Sequence, residues 1–465
     1  MFQLWGRCAD TSEVRATRSL GAIAASALIA AGGLIGAPPA SAATTAIETV
    51  SAPDSVGLSA AVSARTFPAK TGTVYLATAA GFADALAAGA AAGRNAPILL
   101  VDPAGLAPVT STELQRLAPS RIVILGGINA VPPAVADEVA AAVPGATVTR
   151  VAGADRYETA AAVSIATFSR GATTAYVATG TGFADALAAG PASAGASPIL
   201  LTRLDTLPPE TATELQRLGV QRVVVLGGTA VVTDAVIAAI ETTVPDATVT
   251  RVAGADRYAT AAKISRTIAP SPDGTIVVAP GSTFAAALVA APAAARAHAP
   301  LLLADGPPTS AVTAELGRRG ADHLLVVGTV DDTAVAGVVA AANPALPEPL
   351  PGAATAVQTA QAQLGKPYEY GAAGPDTFDC SGLTMFSWAA GGVAVPRVAE
   401  AQAYAVTTVP FTQLQPGDLL FYGSPIQHVG IYAADGTMVE AAHTGVPVRT
   451  ASIWRPDLVA AGRPT

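Results

Sequence analysis

The sequence predicts a multidomain protein: three small α/β domains with open parallel sheets in tandem, then one α+β domain. Three observations carry this. At 465 residues the chain is too long for one ordinary core. One pattern of strands and Ala-rich helices recurs three times at a constant offset. A proline-rich stretch then separates the repeats from a tail of different periodicity.

The opening residues read as an export signal. Arg7, Arg15 and Arg18 precede an apolar stretch over 20–35, followed by Ala37-Pro38-Pro39-Ala40-Ser41-Ala42. A positive start, an apolar middle and a small-x-small ending predict a signal peptide over 1–42, cleaved after Ala42. A retained anchor is the competing reading, but the apolar stretch is short and rich in Gly, whereas a span needs about 20 apolar residues. No later segment reads as a membrane helix. Charged residues are scarce, at 13%, and the net charge is −8. A basic footprint for nucleic acid is therefore absent, and an acidic ligand would have to be held by local arginines.

The repeats follow. Gly81-Phe82-Ala83-Asp84-Ala85-Leu86-Ala87-Ala88-Gly89 returns as 182–190, and Phe82, Phe183 and Phe284 stand 101 residues apart, as do Leu114, Leu215 and Leu316. Arg150-Val151-Ala152-Gly153-Ala154-Asp155-Arg156-Tyr157 returns as 251–258. Domains are expected over 43–151, 152–252 and 253–342. In the first, 73–78, 96–101 and 121–125 read as strands, and 83–92, 111–117 and 132–142 as helices. Continuous β-branched strands between Ala-rich helices argue for a parallel sheet covered on both faces. The third copy has Ala286 where the others have Asp84 and Asp185, and the first has Asp54-Ser55-Val56 where the others have Asp-Arg-Tyr. Three equal sites are thus not required. Arg156, Tyr157, Arg257 and Tyr258 are candidates for contact with an anionic polymer, or else for a structural seam between domains. Asp84 and Asp185 read as first-turn stabilisers of helices, and Gly126-Gly127 and Gly227-Gly228 as turns, since no full phosphate-binding pattern surrounds them.

Residues 343–352, Asn-Pro-Ala-Leu-Pro-Glu-Pro-Leu-Pro-Gly, favour an extended, semi-rigid spacer. The terminal domain, 353–465, opens with a helix over 353–364, a Gly/Pro/Asp-rich loop and a helix beginning at Cys380. Strands over 418–422, 427–432 and 437–441 follow. With Cys8 inside the signal segment, Cys380 is the one thiol expected in the mature chain, so it has no internal disulfide partner. Placed at a helix N-terminus, its thiol should ionise below the usual value of about 8.5. A thiolate needs a base and a third group to orient that base. His428 opens a strand and is the candidate base, with a structural histidine as the alternative. Glu440, across a turn centred near Ala434 and on the same face, is expected to orient it in preference to His443, which a regular strand puts on the opposite face. No His/Cys/carboxylate cluster has metal-ligand spacing, so no metal or cofactor is expected.

Two resemblances attach to these motifs. The FADALAA-type, LGG and AGADRY-type segments over 52–342 resemble the cell wall binding repeat 2 family, typically found in threes on exported proteins of Gram-positive bacteria. That resemblance implies attachment to the cell wall through anionic wall polymers. In the terminal domain, Gly365-Lys366-Pro367-Tyr368, Asp379-Cys380-Ser381-Gly382-Leu383, Pro416-Gly417-Asp418-Leu419, His428-Val429-Gly430-Ile431-Tyr432 and Val439-Glu440-Ala441 resemble the NlpC/P60 family of papain-like cysteine peptidases. This implies a papain-like domain in which Cys380 is nucleophile, His428 base and Glu440 third residue, where many members have His, Asn or Gln. Tyr368, Asp379 and Ser381 form the expected oxyanion and substrate-binding set. Tyr368 matches a family tyrosine near the oxyanion, and Asp379 is placed to meet a substrate ammonium, with helix capping as its alternative; for Ser381 the alternative is a helix start. The expectation is a secreted, wall-attached peptidoglycan hydrolase that serves wall turnover by cleaving stem peptides, at the γ-D-glutamyl–diamino acid bond. An amidase, or a non-catalytic surface adhesin, is the alternative.

Overall fold

The computed structural model describes residues 45–465. The expected signal segment, 1–42, and Cys8 lie outside the described residues. No described helix is long and apolar enough to cross a membrane.

Each repeat builds a four-stranded parallel sheet. In the first, the strands run Ile98–Val101, Thr73–Thr78, Arg121–Leu125 and Thr147–Val151 across the sheet. Alternate residues of the Thr73–Thr78 strand feed two cores: Val74 and Leu76 pack on one side, Tyr75 and Ala77 on the other. This two-sided burial is why these strands are apolar throughout. The second repeat reproduces the order with Ile199–Thr202, Thr174–Thr179, Arg222–Leu226 and Thr248–Val252.

The third sheet departs from chain order. It takes Leu301–Leu303, Thr275–Ala279 and His323–Val327 from its own repeat, and its fourth strand is Ala46–Val50, from the start of the described chain. The boundary expected at 43 is corrected accordingly: that strand completes the third repeat. A sheet of three strands would leave the edge carbonyls and amides of His323–Val327 unpaired.

The expected helix over 83–92 is also corrected. It breaks into a 3₁₀ turn, Ala83–Ala85, and a helix, Ala88–Ala92. The equivalent segment of the second repeat divides into Ala184–Ala188 and Gly190–Ser193, whereas the third runs unbroken as Phe284–Arg296. The three segments converge. Their rings, Phe82, Phe183 and Phe284, form a triangle with centroids 5.5, 6.1 and 6.5 Å apart. Deeper in, Gly89 and Gly190 meet Ala291, and a Cβ built on Gly190 would lie 2.8 Å from that of Ala291. The junction has room for one methyl group among three positions, which accounts for two glycines and one alanine. The strand expected from 96 starts at Ile98, and the helix expected from 111 starts a turn earlier as Pro108–Leu117, with its proline in the first helical turn.

The terminal domain has a six-stranded antiparallel sheet in the order Thr407–Thr408, Leu458–Arg463, Leu419–Tyr422, His428–Ala434, Thr437–Glu440, Arg449–Ser452. The first, second and last of these were not expected, being short or lacking a regular apolar alternation. Helices Ala353–Gln361 and Cys380–Ala390 cover one face, packing Val357, Leu383 and Trp388 on Val429, Ile431 and Val439. The other face carries a smaller cluster including Phe411, Tyr422, Met438 and Ile453.

Residues 344–350 lack regular structure, as a spacer should, but they do not hold the two parts at a distance. Arg463, paired through Nε and Nη2 with the buried Asp418 at 2.9 Å, also donates to the Pro347 carbonyl at 2.8 Å. The terminal domain rests on the third repeat. There the Arg318 guanidinium lies 5.1 Å from the Phe411 ring centroid and donates to Val459 O, and Thr412 sits against Gly274 and Gly320. The reading of 343–352 as a separating spacer is corrected to that of a strap bound to the domain it precedes.

Candidate active site

Cys380 is the first residue of its helix. The preceding Asp379 is the N-cap, and its Oδ1 accepts from Gly382 N–H at 2.7 Å. The helix start is pressed against the preceding loop, so that a Cβ on Gly382 would collide with the Ala372 carbonyl oxygen and come within 2.9 Å of Ala373 Cα. Glycine two residues after the cysteine is thus a packing requirement, one that sets where the sulfur sits.

His428 is the first residue of the central strand His428–Ala434, beside the buried Tyr422, whose ring centroid is 5.6 Å from the imidazole's. Glu440 ends the neighbouring strand and is fully buried. Its Oε2 lies 2.7 Å from His428 Nε2, and Cys380 is the other group that acts on the imidazole. The hairpin is not centred where the sequence suggested. A bulge between Tyr432 and Ala434 sets the register at Ile431↔Val439, and one further step places Glu440 opposite Gly430, diagonal to His428. The shift preserves the face, so the carboxylate still reaches the ring. His443 is exposed, with Nδ1 on Thr444 O at 3.0 Å, away from the imidazole's hydrogen bonds.

The electrostatics follow from these contacts. Burial pushes the Cys380 thiol up, but the hydrogen bond and charge of His428 and the N–H of Val429 outweigh it and hold the thiol below its ordinary value. Burial pushes the His428 imidazole down, yet its hydrogen bonds to Cys380 and Glu440 leave it above the ordinary histidine value. Burial disfavours ionisation of Glu440, but hydrogen bonds from His428 and Arg449, with the charge of Arg455, bring it down to about 2. The arrangement favours a thiolate–imidazolium pair, whose protonation steps belong to the pair.

Three expected residues have other surroundings than foreseen. Asp379 is buried and already engaged: besides the cap, Oδ2 accepts from Gly371 N–H at 2.9 Å, and Arg397 bridges both oxygens at 3.0 and 2.7 Å. The expectation that it meets a substrate ammonium is corrected to helix capping. Ser381 is buried, its Oγ accepting from Arg397 Nη1 at 3.0 Å, so it braces this pair and has no access to substrate. Tyr157 is buried in the repeat core, with Arg203 stacked 4.4 Å from its ring centroid, and the polymer-contact reading is corrected for it. Arg156 donates to Gly180 O at 2.5 Å and lies over Phe82 of the first repeat; Arg257 does the same with Gly281 O at 2.6 Å and Phe183 of the second. Tyr258 Oη donates to Asp305 at 2.7 Å. The two arginines thus make seam contacts, whereas the Tyr258–Asp305 bond lies within the third repeat. Tyr368 remains half-buried near Cys380, its phenol pushed up by burial and by the charges of Cys380 and Asp379.

Sequence reasoning missed Arg397, Arg449 and Arg455. Arg449 is the direct cross-strand partner of Glu440, donating from Nη2 at 2.9 Å and Nε at 3.1 Å, and Arg455 Nη1 donates to Glu440 Oε2 at 3.0 Å. Their only signal was that a buried carboxylate needs cationic partners, and spacing alone did not say which.

Residues 365–463 match the model of the NlpC/P60 family, and 49–136, 150–237 and 251–344 match that of cell wall binding domain 2 (CWB2). The terminal part is 45% identical over 111 residues to the probable endopeptidase p60 of Listeria seeligeri, covering 23% of this chain and 21% of that protein. It is 46% identical over 93 residues to a probable endopeptidase of Mycobacterium tuberculosis, covering 20% and 24%, and 40% identical over 97 residues to one of Corynebacterium glutamicum, covering 21% and 46%. The chain thus spans less than half the length of each of these relatives. Among solved structures, Cwp6 from Clostridium difficile superposes with a TM-score of 0.60 at 24% identity, covering 65% of this chain and 48% of that one, a likeness of fold.

Proposed function

The chain belongs to the cell wall binding domain 2 family and carries an NlpC/P60 domain behind its repeats, and from that premise we propose that it is a secreted, wall-attached cysteine endopeptidase that cleaves peptidoglycan stem peptides. One observation carries the reading: the half-buried Cys380 thiol at a helix start, held below its ordinary value by His428, stands beside an imidazole whose Nε2 is 2.7 Å from a buried carboxylate. The names of the similar proteins, probable endopeptidases, point the same way.

In this mechanism the Cys380 thiolate attacks the scissile carbonyl carbon and the carbonyl π pair moves onto oxygen. The Cys380 backbone N–H, unpaired in the first turn, and the Tyr368 hydroxyl stabilise that oxyanion. As the tetrahedral adduct collapses, the C–N bond breaks and the His428 imidazolium protonates the departing amine. The thioester left on Cys380 is then hydrolysed by water, whose proton His428 accepts, with Glu440 holding the ring. The bond proposed is γ-D-glutamyl–diamino acid. The three repeats, divided near 151 and 252, hold the enzyme to an anionic wall polymer, and the strap over 343–352 leads into the peptidase domain, 353–465.

Digestion of purified peptidoglycan by wild type and Cys380→Ala, with fragments identified by mass, tests this. New γ-glutamyl ends that depend on Cys380 are expected. New L-alanine ends would make the protein an amidase, and absence of products from the wild type would sink the enzymatic reading. Retention on purified walls with and without residues 43–343 tests attachment, and equal retention would remove it.

A further inference from the structure

Orienting an imidazole takes one carboxylate oxygen, yet Glu440 is surrounded by more. Besides His428, Arg449 contacts its Oε1 and Arg455 its Oε2, the same oxygen that faces the ring. Arg455 is itself fixed. Its guanidinium carbon lies 3.9 Å from the centroid of Tyr422, the ring that flanks His428, and its Nε pairs with Asp457 Oδ1 at 3.3 Å.

A buried carboxylate with no partner but a histidine has two failings as an orienting group. It can take the proton itself, or it can hold the imidazolium so strongly that the ring gives up its proton slowly. The reaction requires that proton to pass to a leaving amine and another to be collected from water. Two guanidinium groups on the carboxylate answer both needs: they keep it ionised, and they offset part of the negative charge felt by the ring.

We propose that Arg455, assisted by Arg449, is a positioning residue for His428, holding Glu440 in place while tempering its charge so that the imidazole is oriented without being locked in its protonated form. This rests on Cys380 and His428 being the reactive pair. The groups facing that pair are Asp379, Arg397 and Tyr368 beside the sulfur, Tyr422 beside the ring, and Arg449, Arg455 and Asp457 around the carboxylate. Besides His428 itself, the two arginines are the described residues that put positive charge directly on Glu440.

The test is the pH dependence of Cys380 alkylation by iodoacetamide in the full chain, which needs no wall substrate. Removing a cation beside the pair favours the protonated forms, so Arg455→Gln should move both limbs of the profile upward by about half a pH unit or more. Arg455→Lys should return them toward wild type. Arg449→Gln, at a side chain 48% exposed and so tolerant of change, should move them in the same direction by less, and decides the matter if Arg455→Gln fails to fold. Limbs that stay put while thermal stability drops would make the arginines merely structural, and a lysine variant matching the glutamine one would remove the role of charge; either overturns the proposal. Shifted limbs in a protein that cleaves no peptidoglycan would retain it and discard the proposed substrate.

Discussion

Two buried carboxylates in this molecule have nearly the same electrostatics and different chemistry. Glu315, in the third repeat, is fully buried and bonded to Arg318, Arg319, Arg266 and Ser265, and the arginines hold it down to about 2 against the effect of burial. Glu440 is equally buried and is also held at about 2, by His428, Arg449 and Arg455. Glu113 and Glu214 share its serine and one of its arginines, each with a serine fifty residues earlier and an arginine three later. A depressed carboxyl with several cations therefore does not mark a site. What distinguishes Glu440 is that one of its partners is an imidazole beside a thiol, whereas the partners of Glu315 are three guanidinium groups and a hydroxyl, with no histidine among them. Even Arg319, fully enclosed and pushed down by burial, falls only to about 10.

That contrast can be broken or sharpened by substitution. The largest effect is expected for Cys380→Ala: peptidoglycan hydrolysis falls to background while thermal stability and wall retention stay at wild-type levels, as assayed by product mass, calorimetry and pelleting. Next, Glu315→Ala leaves Arg319 buried without its counter-ion and should cost about 3–5 kcal/mol in denaturant unfolding; in the folded protein the Cys380 alkylation profile should not move. A shift there would mean the two clusters communicate across the contact between the third repeat and the terminal domain.

Glu440→Gln should do the reverse, lowering kcat on the order of 10²-fold and moving the alkaline limb of activity downward, because His428 loses the anion that raises it. Gly382→Ala should follow, costing about 1–3 kcal/mol by overpacking and reducing activity with it, since the loop at Ala372 and Ala373 must retreat. The smallest effect concerns acid. Both carboxyls titrate near 2 in the folded chain against 4.5 when free, so their stabilisation is complete above about 4.5 and lost as pH falls toward 2. Melting temperatures should decline across that window, and less steeply in Glu315→Gln.

Much of this was legible beforehand because it is written locally. A constant offset of 101 residues shows three copies whatever their contacts, and apolar β-branched runs between Ala-rich helices imply covered parallel sheets. Asp379, Cys380 and Gly382 announce a capped helix start by residue type alone, and His428 and Glu440 share a face by the parity of a hairpin. The need for glycine at 89 and 190 was not legible, because what those positions make room for is a methyl group on Ala291, a hundred or two hundred residues away. Asp379 looked equally suited to a substrate amine and to a cap until Arg397 was seen on it.

What the sequence determined by itself, then, is the repeated unit, the change of family after the third repeat and a candidate thiol, imidazole and carboxylate, since each depends on neighbours within a turn, a strand or a hairpin. Only the tertiary structure decided that Ala46–Val50 completes the third sheet, that Arg463 straps Pro347 to the domain it precedes, and which arginines neutralise which acid. Those choices join residues far apart in the chain, where a long flexible side chain meets its partner through packing and burial, and no local pattern records the meeting.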